Sequence, residues 1–244
     1  CALIESSNPE DASSGTSYAF LYGPTWDAPS QVSKHHLARY WASSGSKVLY
    51  TEAQFHPFSL FSRRSEVSRM WGRFIAGPQE VADGLWVQAY PSLIPYRSSV
   101  PLAGSGLALW INQSVPAALI KKTTAQLGIQ RPIAIVATAT ALPLLSRLDP
   151  QLVIYHCSDD YSSQPNFPVA FKELENRLIQ RSDLVICTAE TLRLIKAPLH
   201  EHVYTVTNGA DIEHFMSTQA PSTNIAADIS SLPRPVVGYI GTIF

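Results

Sequence analysis

The chain has 244 residues, enough to bury a core in one large domain or one and a half. Hydrophobic residues make up 45% of it and charged residues 15%, so a globular chain is expected and not a disordered one. The formal net charge of -1 argues against a general binder of nucleic acid or anionic membranes, since either needs a basic surplus, and points to a specific small molecule in a cleft.

Residues 1–16 are rich in Ser, Glu, Asp and Asn and read as a flexible lead-in. Tyr18 to Tyr22 is short, aromatic and bounded by Gly23-Pro24, the pattern of a buried first strand. Ser30 is placed to cap a following helix, with Val32, His36, Leu37, Tyr40 and Trp41 at helical spacing and Gly45 just beyond. Lys47 to Tyr50 is a second strand with Glu52 past its end, which completes a crossover unit. Phe55 to Gly84 has no clear period and reads as an irregular excursion. Leu85 to Gln88 is another strand, and a helix follows from about Leu107 to Leu127, with Pro116 predicting a kink or a break.

The second half is cleaner. Strands are predicted at Pro132–Ala137, Leu152–Tyr155, Asp183–Cys187 and Val203–Val206. Helices are predicted at Ala141–Leu148, Val169–Arg181 and Glu190–Ile195. Continuously apolar strands alternating with helices imply a doubly wound, Rossmann-like α/β fold around a parallel sheet. The expected organisation is a domain over residues 17–215, a polar linker over 216–235, and a new strand opening at 236–244 whose own domain is missing.

No apolar run reaches the roughly 20 residues that span a bilayer. Leu102 to Ile120 comes closest, but Asn112, Gln113, Ser114 and Pro116 interrupt it, giving a partly buried helix with at most interfacial character. Cys1 to Ile4 show no signal-peptide pattern, and the chain starts without Met, as a processed protein or fragment would. Cys1 is also where a mature lipoprotein would begin, although the remainder fits a cytoplasmic α/β enzyme. Cys1, Cys157 and Cys187 form no CxxC pair or metal-ligand cluster, which suits reduced thiols, the latter two as small buried residues at strand ends.

Ligands in open α/β sheets sit beyond the carboxyl ends of the strands. That rule selects Gly23 to Asp27, Glu52, Thr138 to Thr140, His156 to Tyr161, Thr188 to Glu190 and Asn208 to Asp211. His156, Asp159 and Asp160 put an imidazole and two carboxylates where proton transfer or sugar-hydroxyl binding would be done, and they are the candidate catalytic set. The plainer alternative is that an aspartate caps a turn while His156 fills a polar corner. Gly23, Thr25, Trp26 and Asp27 form a candidate acceptor-side loop, with Gly23 allowing close approach and Trp26 free to stack on a sugar, or else an ordinary turn with a packed Trp. His35 and His36 lack a third ligand, so no metal is expected. Gly104-Ser105-Gly106 lacks the third glycine of a dinucleotide fingerprint, and neither a P-loop nor a Gly-x-Ser-x-Gly elbow occurs.

Three segments taken in order resemble the family-four type of retaining glycosyltransferases, which have two Rossmann domains. They are Val153–Tyr161 with its Tyr-x-Cys-x-Asp-Asp core, Thr207–Asp211 followed by Phe215, and Pro235–Gly241. The resemblance covers most of Tyr18 to Phe244 and is faint between Phe55 and Gly104. It implies transfer of a sugar from a nucleotide-sugar donor to a glycan, lipid-linked or small-molecule acceptor in cell-surface polysaccharide biosynthesis. It also implies no metal, no cofactor, no nucleic acid, and a cytoplasmic site with at most peripheral contact at the inner membrane face. Asn208 and Gly209 fall on the acceptor side and Gly241 on the donor side. The pattern departs where many members carry a His after the fourth strand, a place taken here by Ala137 or Thr138, and the donor-phosphate residues would lie past Phe244. A stand-alone, non-catalytic binding or partner-docking module is the alternative from another class.

Overall fold

The computed structural model describes residues 15–56, 64–94, 105–161, 168, 170–218, 220 and 222–238. Eight strands form one sheet: β1 Ser17–Gly23, β2 Lys47–Glu52, β3 Gln79–Ala82, β4 Leu85–Gln88, β5 Ile133–Val136, β6 Leu152–Cys157, β7 Leu184–Cys187 and β8 Val203–Thr205. The spatial order is β3-β4-β2-β1-β5-β6-β7-β8. All neighbours are parallel except β3, which runs antiparallel to β4 at the edge. The chain builds outward from β1 through β2, returns to the other side of β1, and builds outward again from β5. This is a doubly wound, Rossmann-like α/β fold, and its strand order reverses between β1 and β5.

Alternation along the strands places neighbouring residues on opposite faces. On one face Ala19, Leu21, Ala134, Val136, Val153 and Tyr155 pack with Ile120 of α3 (Gly106–Gln126), Leu144 and Leu145 of α4 (Leu142–Leu148), and Phe171 and Leu178 of α5 (Ala170–Arg181). On the other, Phe20, Val48, Tyr50, Leu85 and Val87 pack with Ala38 and Ala42 of α1 (Ser33–Ser43). The inner side of α1 differs from the expected one. Lys34, His35, Ala38 and Ala42 are buried, whereas Val32, His36 and Tyr40 are exposed. The two alanines let the helix lie close to the sheet, and Trp41 stacks on Tyr18 from the flank, with ring centroids 4.2 Å apart. Ser30 is not the cap; Val32 is, its N–H donating to His35 Nδ1 at 3.0 Å.

The excursion after β2 contains a helix that the sequence pattern did not disclose, α2 (Arg64–Ala76), and the edge strand β3. Pro116 neither breaks nor ends α3. Proline lacks the N–H that would reach the carbonyl of Asn112, and the Gln54 side-chain amide donates to that carbonyl instead, at 3.1 Å. Two of the polar residues that interrupt the apolar run, Asn112 and Gln113, form this same network. Asn112 Oδ1 accepts from the N–H groups of Leu93 and Ile94, and Gln113 donates to Gln54 while accepting from the Tyr22 hydroxyl. They are buried as anchors for the loop after β4 and for the end of β1. Among the described residues no helix is long and apolar enough to cross a membrane.

The chain divides into two compact units, 1–208 and 209–244. The sheet and α1 to α5, together with α6 (Glu190–Lys196), belong to the first. The second holds two short helices, α7 (Ile212–Ser217) and α8 (Ala227–Ser230), and Val236 to Gly238 have no regular structure there. Gly241, expected on the donor side, lies outside the described residues, as do Tyr239 and Ile240.

Candidate functional site

Near the strand-order reversal, the first turn of α1 meets the segment that follows β6. Lys34 joins the two sides. It sits in the first turn of α1, is only 3% exposed, and its ammonium donates to Ser158 Oγ at 2.9 Å. Burial lowers the Lys34 pKa, while Asp159 and the Cys157 thiol act against that shift. Ser158 is fixed from behind, since its carbonyl accepts from Thr188 Oγ1 at 3.2 Å, and Thr188 N–H donates to Cys157.

His156 lies inside β6 and not beyond it, as the shorter predicted strand implied. It is 6% exposed, and among the described residues its Nδ1 has no hydrogen-bond partner. Burial, and secondarily the Lys34 charge, push its pKa down to about 4, so the ring is neutral at neutral pH. Asp159 is exposed. The Tyr161 hydroxyl engages both Ser158 and Asp159, although burial dominates and pushes its pKa up to about 12. Lys34, Ser158, Tyr161 and Asp159 therefore form a polar chain from a buried ammonium to an exposed carboxylate.

Asp160 turns elsewhere. Its Oδ1 is 3.8 Å from Lys196 Nζ, and Lys196 is held at 2.9 Å by Glu175 Oε2, whose other oxygen accepts from the Tyr155 hydroxyl at 2.7 Å. The three residues grouped by sequence thus separate: His156 and Asp159 belong with Lys34, and Asp160 with the buried network under α5 and α6.

The loop after β1 is built as an internal joint. A Cβ on Gly23 would run into the Tyr50 hydroxyl, so the glycine makes room for a ring and not for a ligand. The preceding Tyr22 has φ 59°, a left-handed conformation that costs energy for a non-glycine residue and is held by its N–H bond to Thr51 Oγ1. The Thr25 carbonyl accepts from the N–H of Ala28 and lies 3.2 Å from His35 Nε2. Trp26 is 6% exposed, with Tyr50 and His35 edge-on at 5.0 and 5.4 Å and the Arg39 guanidinium 4.6 Å from its ring. Its surface is occupied by protein, which leaves little for a sugar.

Asp27 accepts from Arg69 and Arg73, each at 2.7 Å. Burial pushes its carboxyl up, but these two bonds outweigh burial and hold it below the usual range. Glu52, part of β2 and fully buried, accepts from Arg73 at 2.6 Å and from Trp26 N–H at 2.7 Å, both on Oε1. Glu190 pairs with Arg193, and Thr138 meets Thr140 at 3.5 Å. Asn208 ends the first unit and Gly209 opens the second, both exposed.

Sequence inspection missed Lys34 and Arg73. The signal for Lys34 was present: it stands four residues before Ala38 and eight before Ala42, on the stripe that small residues mark as the contact face. Arg73 lies on a helix whose period was overlooked. Among the described residues no three His, Cys, Asp or Glu side chains gather as a metal site would require. The geometry defines a doubly wound α/β unit in which a buried lysine is held against the segment after β6. No known family model matches the chain, and no curated protein matches it either.

Proposed function

We propose that residues 17–208 are the acceptor-binding half of a retaining glycosyltransferase that uses a nucleotide-sugar donor and needs neither metal nor cofactor. The observation that carries the reading is the position of the Tyr155–Tyr161 segment. It runs off the carboxyl end of β6, where Lys34 meets Ser158, and it is the segment that resembles the family's Tyr-x-Cys-x-Asp-Asp core. Open α/β sheets bind ligands beyond the carboxyl ends of their strands, near the reversal of strand order. The neutral His156 suits hydrogen bonding to a hydroxyl better than acid catalysis, and exposed Asp159 can accept from an acceptor hydroxyl. In this reading the donor phosphates are stabilised by a partner domain. The enzyme would act in the cytoplasm, with at most peripheral contact at the inner membrane face, in building a cell-surface polysaccharide.

Nuclear magnetic resonance titration of the chain tests this. A panel of neutral and acidic mono- and oligosaccharides should shift the resonances of Ser158 to Tyr161 at millimolar concentration, while uridine and guanosine diphosphate sugars should show no micromolar binding. Micromolar donor binding, or turnover by the chain alone, would assign the donor site to this unit and overturn the division proposed.

A further inference from the structure

We propose that Lys34 and Ser158 form a subsite for a singly charged oxyanion, a carboxylate or a phosphodiester, carried by a ligand bound at the carboxyl end of the sheet. This deepens the glycosyltransferase reading, on which it rests for the acceptor's being a sugar, by making that acceptor acidic. An ammonium out of water is costly unless it is paired and fully hydrogen-bonded. Lys34 is 3% exposed, yet its one hydrogen bond is to the neutral Ser158 hydroxyl, and no carboxylate among the described residues forms an ion pair with it. Two of its three N–H groups are left for another acceptor.

A second group in the same place is also unsatisfied. His156, 6% exposed and close enough for the Lys34 charge to act on it, has no partner for Nδ1 among the described residues. Buried polar atoms without partners are uncommon, and each calls for an explanation such as strain, a catalytic role, a water or a bound ion. His156 cannot supply the missing negative charge, nor can Ser158 or Tyr161. The Asp159 carboxylate acts on Lys34 from outside the ion-pair range and is exposed, linked to it through the Ser158 and Tyr161 hydroxyls. Asp159 is thus a place-holding countercharge. An incoming oxyanion would take Lys34 as its direct donor, with the half-buried Ser158 and Tyr161 hydroxyls at the mouth as additional donors. A lysine is a point charge without the bidentate fork of arginine, so it selects charge over shape and accepts either oxyanion. One cation beside a residual aspartate favours a single negative charge over two.

The test is a titration of the 244-residue chain with glucuronate, dimethyl phosphate, inorganic sulfate and glucose, read by the resonances of Ser158 and Tyr161. Glucuronate or dimethyl phosphate should bind at least about tenfold more tightly than glucose, the worth of one charge-assisted hydrogen bond. Preference between the two identifies a uronic acid or a diester as the source, and sulfate should be the weaker ion. Lys34→Met should remove the preference, and an apolar chain of similar length suits the buried site. Ser158→Ala provides an independent check and should weaken binding several-fold. Asp159→Asn, by removing the competing carboxylate, should tighten it. Equal binding of glucuronate, dimethyl phosphate and glucose, or binding weakened by Asp159→Asn, would overturn the proposal. Neutral oligosaccharide binding without anion preference would sink this subsite and leave the glycosyltransferase reading standing; anion binding without any sugar binding would do the reverse.

Discussion

Arg73 donates to Glu52 Oε1 at 2.6 Å through one guanidinium nitrogen and to Asp27 at 2.7 Å through the other, so one side chain of α2 ties the end of β2 to the loop after β1. Glu52 is fully buried and its Oε2 has no partner among the described residues, which leaves Arg73 as its countercharge. Arg73→Met should therefore strand a buried carboxylate and cost about 3–5 kcal/mol. The double variant Glu52→Gln with Arg73→Met should cost clearly less than Arg73→Met alone, because neither charge is then left unpaired. Urea unfolding of the three proteins gives both numbers, and a loss under about 1 kcal/mol for Arg73→Met would show that the pair does not hold this corner.

Gly23 is a packing glycine. Its φ lies outside the left-handed region, so the cost of a side chain there is steric, set by the Tyr50 ring and hydroxyl. Gly23→Ala should destabilise the protein by about 1–3 kcal/mol. In a Tyr50→Ala background, with the ring removed, the same substitution should cost much less. Thermal unfolding of both pairs checks it; an equal cost in the two backgrounds would mean that the glycine serves something other than Tyr50.

The sheet was legible because parallel strands buried on both faces are written as unbroken apolar runs, as in Ile133–Val136 and Leu184–Cys187. β3 was not legible: Gln79 to Ala82 is exposed throughout and has no apolar alternation to reveal it. The strand-end rule selected His156, Asp159 and Asp160 as one group. It could not separate Asp160 from the other two, because the choice between Lys34 and Lys196 as neighbour depends on contacts more than a hundred residues apart in one case and 36 in the other. Trp26 illustrates the same limit. A Trp after a glycine turn looks equally available to a sugar or to the core, and Tyr50, His35 and Arg39 decide for the core.

Cys157 and Cys187 are register partners on adjacent parallel strands, free and fully buried. Hydrogen bonding to Cys187, followed by burial, pushes the Cys157 thiol up, which suppresses its reactive thiolate. In a Cys1→Ser background, a bulky aromatic disulfide reagent at pH 8 should label neither thiol of the native protein and both after denaturation. Stoichiometric labelling without denaturant would contradict the burial, and a mass lower by two hydrogens would reveal a bridge.

His156 should make stability fall on acidification in a defined window. Its pKa is about 4 in the folded chain against 6.5 ordinarily, lowered first by burial and then by Lys34. Above pH 6.5 the ring is neutral both folded and unfolded, and the native contribution is intact. Between 6.5 and about 4 the unfolded chain takes up a proton that the folded one refuses, so stability drops as pH falls; below about 4 the folded ring protonates too and the loss levels off. The full loss amounts to about 3 kcal/mol. His35, also lowered by burial, contributes in the same direction, and Asp27, held below the usual carboxylate range, titrates below this window. The comparison must therefore be with His156→Gln, which keeps a polar group at the site and removes the titration. Chemical unfolding at pH 7.5 and at pH 4.5 should show the wild type losing about 2 kcal/mol more than the variant. A loss equal in the two proteins would mean that His156 is charged or solvated in the folded state, and that the ammonium of Lys34 does not face it.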